Sequence, residues 1–387
     1  LLYIAAFLNS SVCRKLLEAL SPTMNFEAGQ IQKLPLIEDA ESVSRVAEIV
    51  EECIRLAKDD WDDFETSWYF KRHPLVRYSL INGENEYLNA SFKAWKKEKE
   101  DDFTKLEDLE IQLNNLFINR YKLNDELEAL SEKKDNPIRK AEIKREVKSL
   151  LSYAVGCMFG RYSLATEGLA FAGGEWDATK YSGFLPDEDN VIPITDQKYM
   201  DDDIVERLCE FLKVVYGENS LESNLDFIAS ALSGKGSTSR EIIRNYFLND
   251  FFKDHCKTYQ KRPIYWLFDS GKQNGFKALV YMHRWDQNSI GRVLVYLHKI
   301  QEKYEIEVRA IDAMLEHITD KRQQAAEEQR RDHLLKQIAE IKEYDEGLDH
   351  MTNEHVNIDL DDGVKVNYEK VQTDRNGAKF NILAPIK

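Results

Sequence analysis

The side chains best suited to binding chemistry in this chain are Lys and Arg residues grouped in one stretch, residues 241–300. Ten Lys or Arg and five Asp or Glu give this stretch a net charge of +5, whereas the whole chain carries −16. A local cationic surface on an acidic protein indicates a polyanionic ligand. Lys and Arg would hold the phosphate oxygens of such a ligand, with an affinity that falls as salt is added.

These cations surround a predicted β-hairpin. Residues 261–268 and 276–281 are β-rich runs, and the Asp-, Gly- and Asn-containing residues 269–275 between them are typical of a hairpin loop. An amide at the loop could also pair with an adenine edge. The alternative is a hairpin buried against residues 165–250, with core aromatics and ordinary surface lysines, and charge alone does not separate the two. The candidate DNA-binding residues are Lys257, Lys261, Arg262, Lys272, Gln273, Asn274, Lys277 and Arg284.

Motifs for catalysis are missing from the sequence. It contains no GxxxxGK[ST], no GxGxxG after a strand, no HExxH and no GxSxG. His255 and His283 flank the predicted hairpin, but a metal centre needs two or three further converging ligands. The acidic run at residues 187–203 lacks the Gly and the closing Glu of a calcium loop, which favours a solvated loop. The sequence therefore predicts no catalytic, cofactor-binding or metal site in this chain.

The composition is typical of a helical protein with a reduced, cytoplasmic location. Charged residues make up 32% of the 387 residues, as in long solvated helices. The five cysteines are scattered without a CxxC pair, which argues against a structural zinc site and favours free thiols. No run of about 18 apolar residues predicts a membrane span. Because the chain begins with Leu in a helical pattern, we interpret it as a piece of a longer protein.

The hydrophobic periodicity predicts a mostly α fold with a smaller β component (α+β), with coiled-coil-like arms and a hairpin-containing lobe. Helices are expected at residues 1–20, ended by Pro22, at 41–59, and at 92–130, where leucines follow a heptad pattern. Further helices are expected at 202–215, 221–232 and 242–256. Residues 289–344 fit either two antiparallel helices or one long arm, and residues 357–372 alternate like a strand.

Several long phrases, in this order, resemble one protein family. They are "NFEAGQIQKLPLI", "DDWDDFETSW", "NRYKLNDELEAL", "SYAVGCMFGRYSL", "YQKRPIYWLFDSGKQNGFKALVYMHRW" and "DDGVKVNYEKV". Together they resemble the C-terminal half of the PglX family, the type IIG-like adenine-specific DNA methyltransferases of BREX phage-defence systems. The resemblance covers essentially the whole chain.

The resemblance implies a catalytic domain that binds S-adenosylmethionine and holds a flipped adenine with an N-P-P-[YF] motif. No two prolines are adjacent in this chain, so that motif is absent and no catalysis is expected from it alone. The implied role is to engage double-stranded DNA and help choose the site. The alternative is a helical scaffold that docks other BREX proteins, and no membrane partner is expected.

The same interpretation divides the chain into five parts. Residues 1–40 would end the target-recognition domain, and residues 41–155 would form a helical spacer. Residues 156–300 would form a mixed α/β lobe with the basic hairpin. Residues 301–350 would form a long charged helical arm, and residues 351–387 a C-terminal tail with short strands.

Overall fold

The structure, a computed structural model, describes residues 1–20, 27–37, 40–79, 82–130 and 136–386. They form two compact units, the first comprising Leu1–Tyr69 and Phe92–Glu142 and the second comprising Phe70–Ser91 and Ile143–Lys387. Helices dominate the described residues, and β-structure there is limited to a small sheet and isolated bridges. The predicted mostly α fold with a smaller β component is therefore confirmed.

The helices and strands are numbered here in chain order. The helices are α1 (Leu2–Asn9), α2 (Ser11–Leu20), α3 (Ala28–Ile31), α4 (Ala40–Asp62), α5 (Pro74–Arg77), α6 (Leu88–Tyr121), α7 (Ile143–Met158), α8 (Ile204–Tyr216), α9 (Leu221–Leu232), α10 (Ser239–Asn249), α11 (Phe251–Thr258), α12 (Ser289–Leu315), α13 (Lys321–Asn353) and α14 (Val364–Lys370). The strands are β1 (Ile192–Pro193), β2 (Tyr265–Asp269) and β3 (Lys277–Tyr281).

The first predicted helix is divided in two at Ser10. The Ser10 hydroxyl donates a hydrogen bond to the Phe7 carbonyl and accepts one from the Cys13 amide. A serine side chain that bonds to nearby backbone groups competes with the helical pattern, so α1 ends and α2 begins here. Phe7 and Cys13 are both buried in the core of the first unit. The predicted stop at Pro22 lies outside the described residues.

Helix α6 ends before the heptad pattern does. Lys122 has a φ of 56°, and the Leu123 amide bonds to the Ile118 carbonyl. A left-handed residue of this kind closes a helix, because the chain leaves the axis there. The prediction of helix for residues 123–130 is therefore wrong. Leu123 and Leu127 still pack against the core of the first unit, which explains why their apolar spacing looked helical.

A three-stranded antiparallel sheet lies in the core of the second unit, with the order β1-β3-β2. Strands β2 and β3 form the predicted hairpin, in which Tyr265 pairs with Tyr281 and Asp269 with Lys277. Side chains on both faces of this hairpin are buried. Helices and loops therefore cover the sheet on both sides, as the continuous apolar character of both strands requires.

Residues 289–353 form two antiparallel helices, one of the two predicted alternatives. Arg330 on α13 contacts Glu307 on α12, and farther along the pair Asp345 contacts His298. Because the residue numbers rise along α13 as those of their partners on α12 fall, the helices run antiparallel. Apolar side chains are buried on both helices, Ile311 on α12 and Leu334, Ile338 and Ile341 on α13.

The strand prediction for residues 357–372 is wrong, because residues 364–370 form α14. The Asn367 amide bonds to the carbonyls of Asp359 and Gly363 and so fixes the first turn of this helix. In the described part of the tail, β-pairing with the sheet is limited to an isolated bridge between Leu383 and Phe268. None of the helices within the described ranges has an apolar stretch long enough to cross a membrane.

Candidate nucleic-acid interface

The strands of the basic hairpin belong to the core rather than to the surface. Tyr265, Trp266 and Phe268 are at most 1% exposed. Trp266 packs edge-on against Trp285, and Tyr265 stacks on Phe159. The aromatic residues thus serve as the body of the second unit, as the buried-hairpin alternative expected. Any ligand must approach the hairpin at its ends or its loop.

Three predicted cations lie together at the end of the hairpin away from the loop. Lys257 is in the last turn of α11, and Lys261 and Arg262 follow on the turn that leads to β2. Lys261 has a φ of 61°, and its amide bonds to the Cys256 carbonyl, so the chain folds back tightly. All three side chains are exposed. Among the described residues none of the three has an ion-pair partner within 4 Å.

The loop end of the hairpin is fastened to α13 by one carboxylate. Glu340 accepts hydrogen bonds from the Ser270 hydroxyl (2.8 Å), the Gln273 amide (2.8 Å) and the Gly275 amide (3.0 Å). A side chain at Gly275 would meet the Gln337 carbonyl oxygen at 2.8 Å, so only glycine fits there. The loop is therefore held in one conformation by an internal anion.

The predicted loop residues differ in their exposure to solvent. Lys272 is exposed, while Gln273 and Asn274 are half-buried. The Asn274 carbonyl accepts a hydrogen bond from the Gln337 amide group, but the side chains of Gln273 and Asn274 make no hydrogen bond within the described ranges. Their side-chain amides therefore remain available to a ligand while their backbone is fixed.

Lys277 and Arg284 are engaged inside the protein. The buried Lys277 ammonium donates to the Leu248 carbonyl at 2.9 Å and lies 3.5 Å from an Asp269 oxygen. Arg284 donates to the carbonyls of Asp187 (2.7 Å) and Glu188 (3.1 Å). Its guanidinium also lies 4.6 Å from the ring centre of Trp176.

The predicted set is thus split along the hairpin. A strand of five residues spans about 13 Å at about 3.3 Å per step. Lys257, Lys261 and Arg262 lie at one end of this length, and the loop with Lys272 lies at the other. The two groups would meet different parts of an extended ligand.

Much of the acidic run at residues 187–203 is structural. Asp203 is fully buried, accepts hydrogen bonds from the amides of Val205 and Glu206 as the N-cap of α8, and pairs with Arg244 at 2.9 Å. The prediction of a solvated loop is therefore wrong for Asp203. Burial and the neighbouring Asp189 carboxylate raise the pKa of Asp187 to about 7. In the part of the chain that the structure describes, no cluster of His, Cys, Asp and Glu could hold a metal ion.

A cavity of about 770 Å³ lies within the first unit and was not predicted. It is lined by residues of α1, α2, α4 and α6, among them Cys53, Glu110 and Asn114. Burial and the charges of Glu110 and Glu52 raise the pKa of Cys53 to about 11. Cys53 is thus a thiol at neutral pH and is unsuited to act as a nucleophile.

The sequence reasoning also missed Arg161, which lies between α7 and the loops that follow it. Its guanidinium donates to the hydroxyls of Tyr162 (3.3 Å) and Tyr281 (3.2 Å). Nothing in a single sequence separates an arginine that has an acidic partner from one that lacks it, because ion pairing depends on the fold.

Comparison with known proteins gives the context of this site. No protein-family model matches the chain. The adenine-specific methyltransferase PglX of Lacticaseibacillus casei (strain Zhang) is 43% identical over 391 residues, which cover 100% of this chain and 32% of that protein. The adenine-specific methyltransferase BrxX of Escherichia coli O9:H4 (strain HS) is 33% identical over 396 residues, 95% of this chain and 32% of that protein. The chain spans about one third of the length of these relatives. It therefore corresponds to a region of the PglX-type adenine-specific methyltransferases, and the resemblance predicted from its sequence is confirmed.

Proposed function

We propose that this chain is a DNA-engaging region of an S-adenosylmethionine-dependent, adenine-specific DNA methyltransferase of a BREX phage-defence system. The chain holds double-stranded DNA for a catalytic domain elsewhere in the protein and does not transfer a methyl group itself. The similarity to PglX and BrxX supports the methyltransferase context. The observation that carries the DNA-engaging role is the group of exposed cations Lys257, Lys261 and Arg262, which have no acidic partner among the described residues.

In this proposal the cations contact the DNA at the two ends of the hairpin. Lys257, Lys261 and Arg262 contact backbone phosphates and fix the position of the duplex. Lys272 contacts a phosphate farther along, and the amide of Gln273 or Asn274 reaches a base edge. The net charge of −16 on the whole chain does not prevent this, because charges beyond about 8–10 Å are screened at physiological salt.

The proposal assigns Lys277 and Arg284 to the scaffold. Their donors bind the carbonyls of Leu248, Asp187 and Glu188, so contact with a phosphate would break hydrogen bonds that the fold uses. They support the hairpin that presents the exposed cations.

The proposal is tested by replacing Lys257, Lys261 and Arg262 together with Ala and measuring duplex binding by fluorescence anisotropy at about 50 and 200 mM salt, where phosphate contacts lose most affinity. The slope of log K against log salt should become shallower by about 3, since each lost contact contributes about 0.9.

The matched control is the triple variant Lys303→Ala, Arg309→Ala and Lys336→Ala. These residues are exposed on α12 and α13, have no acidic partner within 4 Å among the described residues, and change the net charge equally. Equal losses in both variants would show a general charge effect and would contradict the proposed interface.

A second candidate function, the docking of other defence proteins, is favoured by exposed aromatic side chains in the first unit. Trp68 is 97% exposed, Tyr69 68% and Trp61 57%. Aromatic residues are enriched at protein interfaces. The discriminating variant is Trp68→Ala in the full-length protein. Loss of a complex with other BREX proteins, with DNA affinity unchanged, would favour docking by this unit.

A further inference from the structure

Arg161 is a half-buried arginine with no acidic partner among the described residues. Its Nε and Nη1 donate to the hydroxyls of Tyr162 and Tyr281. No carboxylate of the described residues lies within 4 Å of it, and its Nη2 makes no hydrogen bond within the same ranges. The Tyr281 hydroxyl donates a hydrogen bond to the Phe171 carbonyl (2.9 Å), so its oxygen is oriented to accept the hydrogen bond from Arg161. One guanidinium nitrogen therefore remains for a ligand.

The fully buried cations of the described residues have acidic partners. Lys99 lies 3.1 Å from an Asp102 oxygen and also near Asp60 and Asp63. Arg244 pairs with Asp203 at 2.9 Å. An ionised group withdrawn from water is strongly unfavourable unless it is paired. Arg161 is half-buried and, like Arg284, has no acidic partner among the described residues; both Nη atoms of Arg284 donate to carbonyls, whereas Nη2 of Arg161 makes no hydrogen bond there.

The groups around Arg161 do not supply that anion. Burial raises the pKa of the Tyr281 hydroxyl, so the phenol is neutral. Burial and the Arg161 charge lower the pKa of His255 to about 3 and that of His283 to about 4, so both imidazoles are also neutral at pH 7. The cluster therefore carries the single positive charge of Arg161.

His255 adds an unused hydrogen-bond donor to this cluster. Its Nε2 accepts hydrogen bonds from the amides of Ile264 (3.0 Å) and Tyr265 (3.2 Å). The proton of a neutral imidazole must then lie on Nδ1. Nδ1 has no partner, and the residue is only 3% exposed. The His255 ring lies 4.8 Å from the Tyr265 ring, which in turn lies 5.4 Å from Tyr281.

The cluster lies at the same end of the hairpin as the exposed cations. Tyr265 and Tyr281 are paired at the end of β2 and β3 opposite the loop. Lys261 and Arg262 lie in the turn before β2, which begins at Tyr265, and Lys257 lies in the last turn of α11. None of Arg161, Lys257, Lys261 and Arg262 has an acidic partner among the described residues, so this end of the hairpin carries positive charge that the protein does not neutralise. A phosphate group, with its negative charge and several acceptor oxygens, suits such donors.

We propose that Arg161, together with Tyr281 and the unpartnered imidazole of His255, forms an oxyanion site that takes a phosphate group. The phosphate is either a backbone phosphate of DNA, which rests on the proposed function, or a free phosphate. In both cases Arg161 Nη2 donates to the phosphate, while Nη1 stays on Tyr281.

Two measurements on the 387-residue chain test this site. The first is thermal unfolding in sodium phosphate and in sodium chloride of equal ionic strength. The second is anisotropy with random duplex DNA across salt. Each uses Arg161→Gln, the charge-retaining Arg161→Lys, and Arg284→Gln as a matched control, since Arg284 is a comparably half-buried arginine with carbonyl partners. Circular dichroism establishes that each variant is folded.

Phosphate should raise the Tm of the native chain by a few degrees more than chloride, and Arg161→Gln should lose this difference while Arg161→Lys keeps part of it. Arg161→Gln should also make the salt slope shallower by about one, the effect of one lost phosphate contact. Arg284→Gln should retain both the phosphate effect and the salt slope.

The outcomes separate this site from the proposed function. A phosphate effect that depends on Arg161 in a chain that does not bind DNA supports the site and contradicts the DNA-engaging role. DNA binding by the native chain, with no preference for phosphate over chloride and an unchanged slope in Arg161→Gln, overturns the site and leaves that role intact.

Discussion

The two ends of the β2–β3 hairpin both carry hydrogen-bond donors, but only one end has an anion from the protein to accept from them. At the loop end, the donors of Ser270, Gln273 and Gly275 meet the carboxylate of Glu340, which belongs to the same chain. At the other end, Arg161 and His255 present donors that no described carboxylate satisfies. An anion supplied by the chain fixes a loop permanently, whereas an anion left for a ligand makes a site that can be filled and emptied.

The largest expected effect is the loss of the internal anion. Glu340→Ala leaves three partly buried donors without an acceptor and should reduce the free energy of unfolding of the second unit by about 2–4 kcal/mol. Urea unfolding followed by tryptophan fluorescence measures this. Glu343→Ala, an exposed site on the same helix, should change it by less than about 0.5 kcal/mol. Equal losses of stability in Glu340→Ala and Glu343→Ala would mean that Glu340 does not hold the loop, and would contradict the difference between the two ends of the hairpin.

A smaller loss is expected when the loop is forced away from α13. Gly275→Ala places a methyl group 2.8 Å from the Gln337 carbonyl oxygen, so the loop must shift, at a cost of about 1–3 kcal/mol. The comparison variant is Gly291→Ala in α12, whose new methyl group meets only a Thr352 side-chain carbon at 3.4 Å. The urea midpoints of the two variants measure this difference in stability. An unchanged midpoint in Gly275→Ala would mean that the loop tolerates displacement.

The Asp187 carboxyl should make stability depend on pH. Its pKa is raised to about 7 by burial and by Asp189, above the value of about 4 expected in the unfolded chain. The folded state therefore binds the proton more tightly, and its stability falls as pH rises from about 4 to 7. Asp187→Asn should stabilise the chain by about 1–2 kcal/mol at pH 8 and have little effect at pH 4. A gain that is the same at both pH values would show that Asp187 does not titrate in this range.

The smallest effect is expected at the open end of the hairpin. Arg161→Met removes a half-buried charge that has no acidic partner among the described residues, and should change the free energy of unfolding by less than about 1 kcal/mol without phosphate. Arg244→Met is the matched contrast, because it leaves the buried Asp203 without its counter-charge and should cost about 3–5 kcal/mol. A comparable loss in Arg161→Met, measured by urea unfolding in chloride, would mean that Arg161 already has its counter-charge within the protein.

The sequence predicted what depends on local chemistry. The helix at Leu221–Leu232 and the hairpin follow from periodicity and loop composition, and both are present. The end of α6 was missed because nothing in the sequence marks Lys122 as left-handed. Residues 364–370 alternate like a strand, but Asn367 directs them into a helix through hydrogen bonds to the carbonyls of Asp359 and Gly363.

The candidate site shows the same limit. Exposure of Lys257 and Lys272 follows from their type and their place at chain reversals. Lys277 has the same charge, but the Leu248 carbonyl and Asp269 occupy its ammonium group. Arg161 could not be found from sequence, because what distinguishes it is the lack of an acidic partner among the described residues, and that depends on the fold.

The bond between Glu340 and the hairpin loop also has a mechanical consequence. Helix α13 is 33 residues long, about 50 Å, and Glu340 lies about 29 Å from its first residue. Glu340 thus attaches residues 270–275 to the middle of α13. In the proposed function, a protein that displaces α13 would move Lys272 and the amides of Gln273 and Asn274 with it, and would so alter their contacts with DNA.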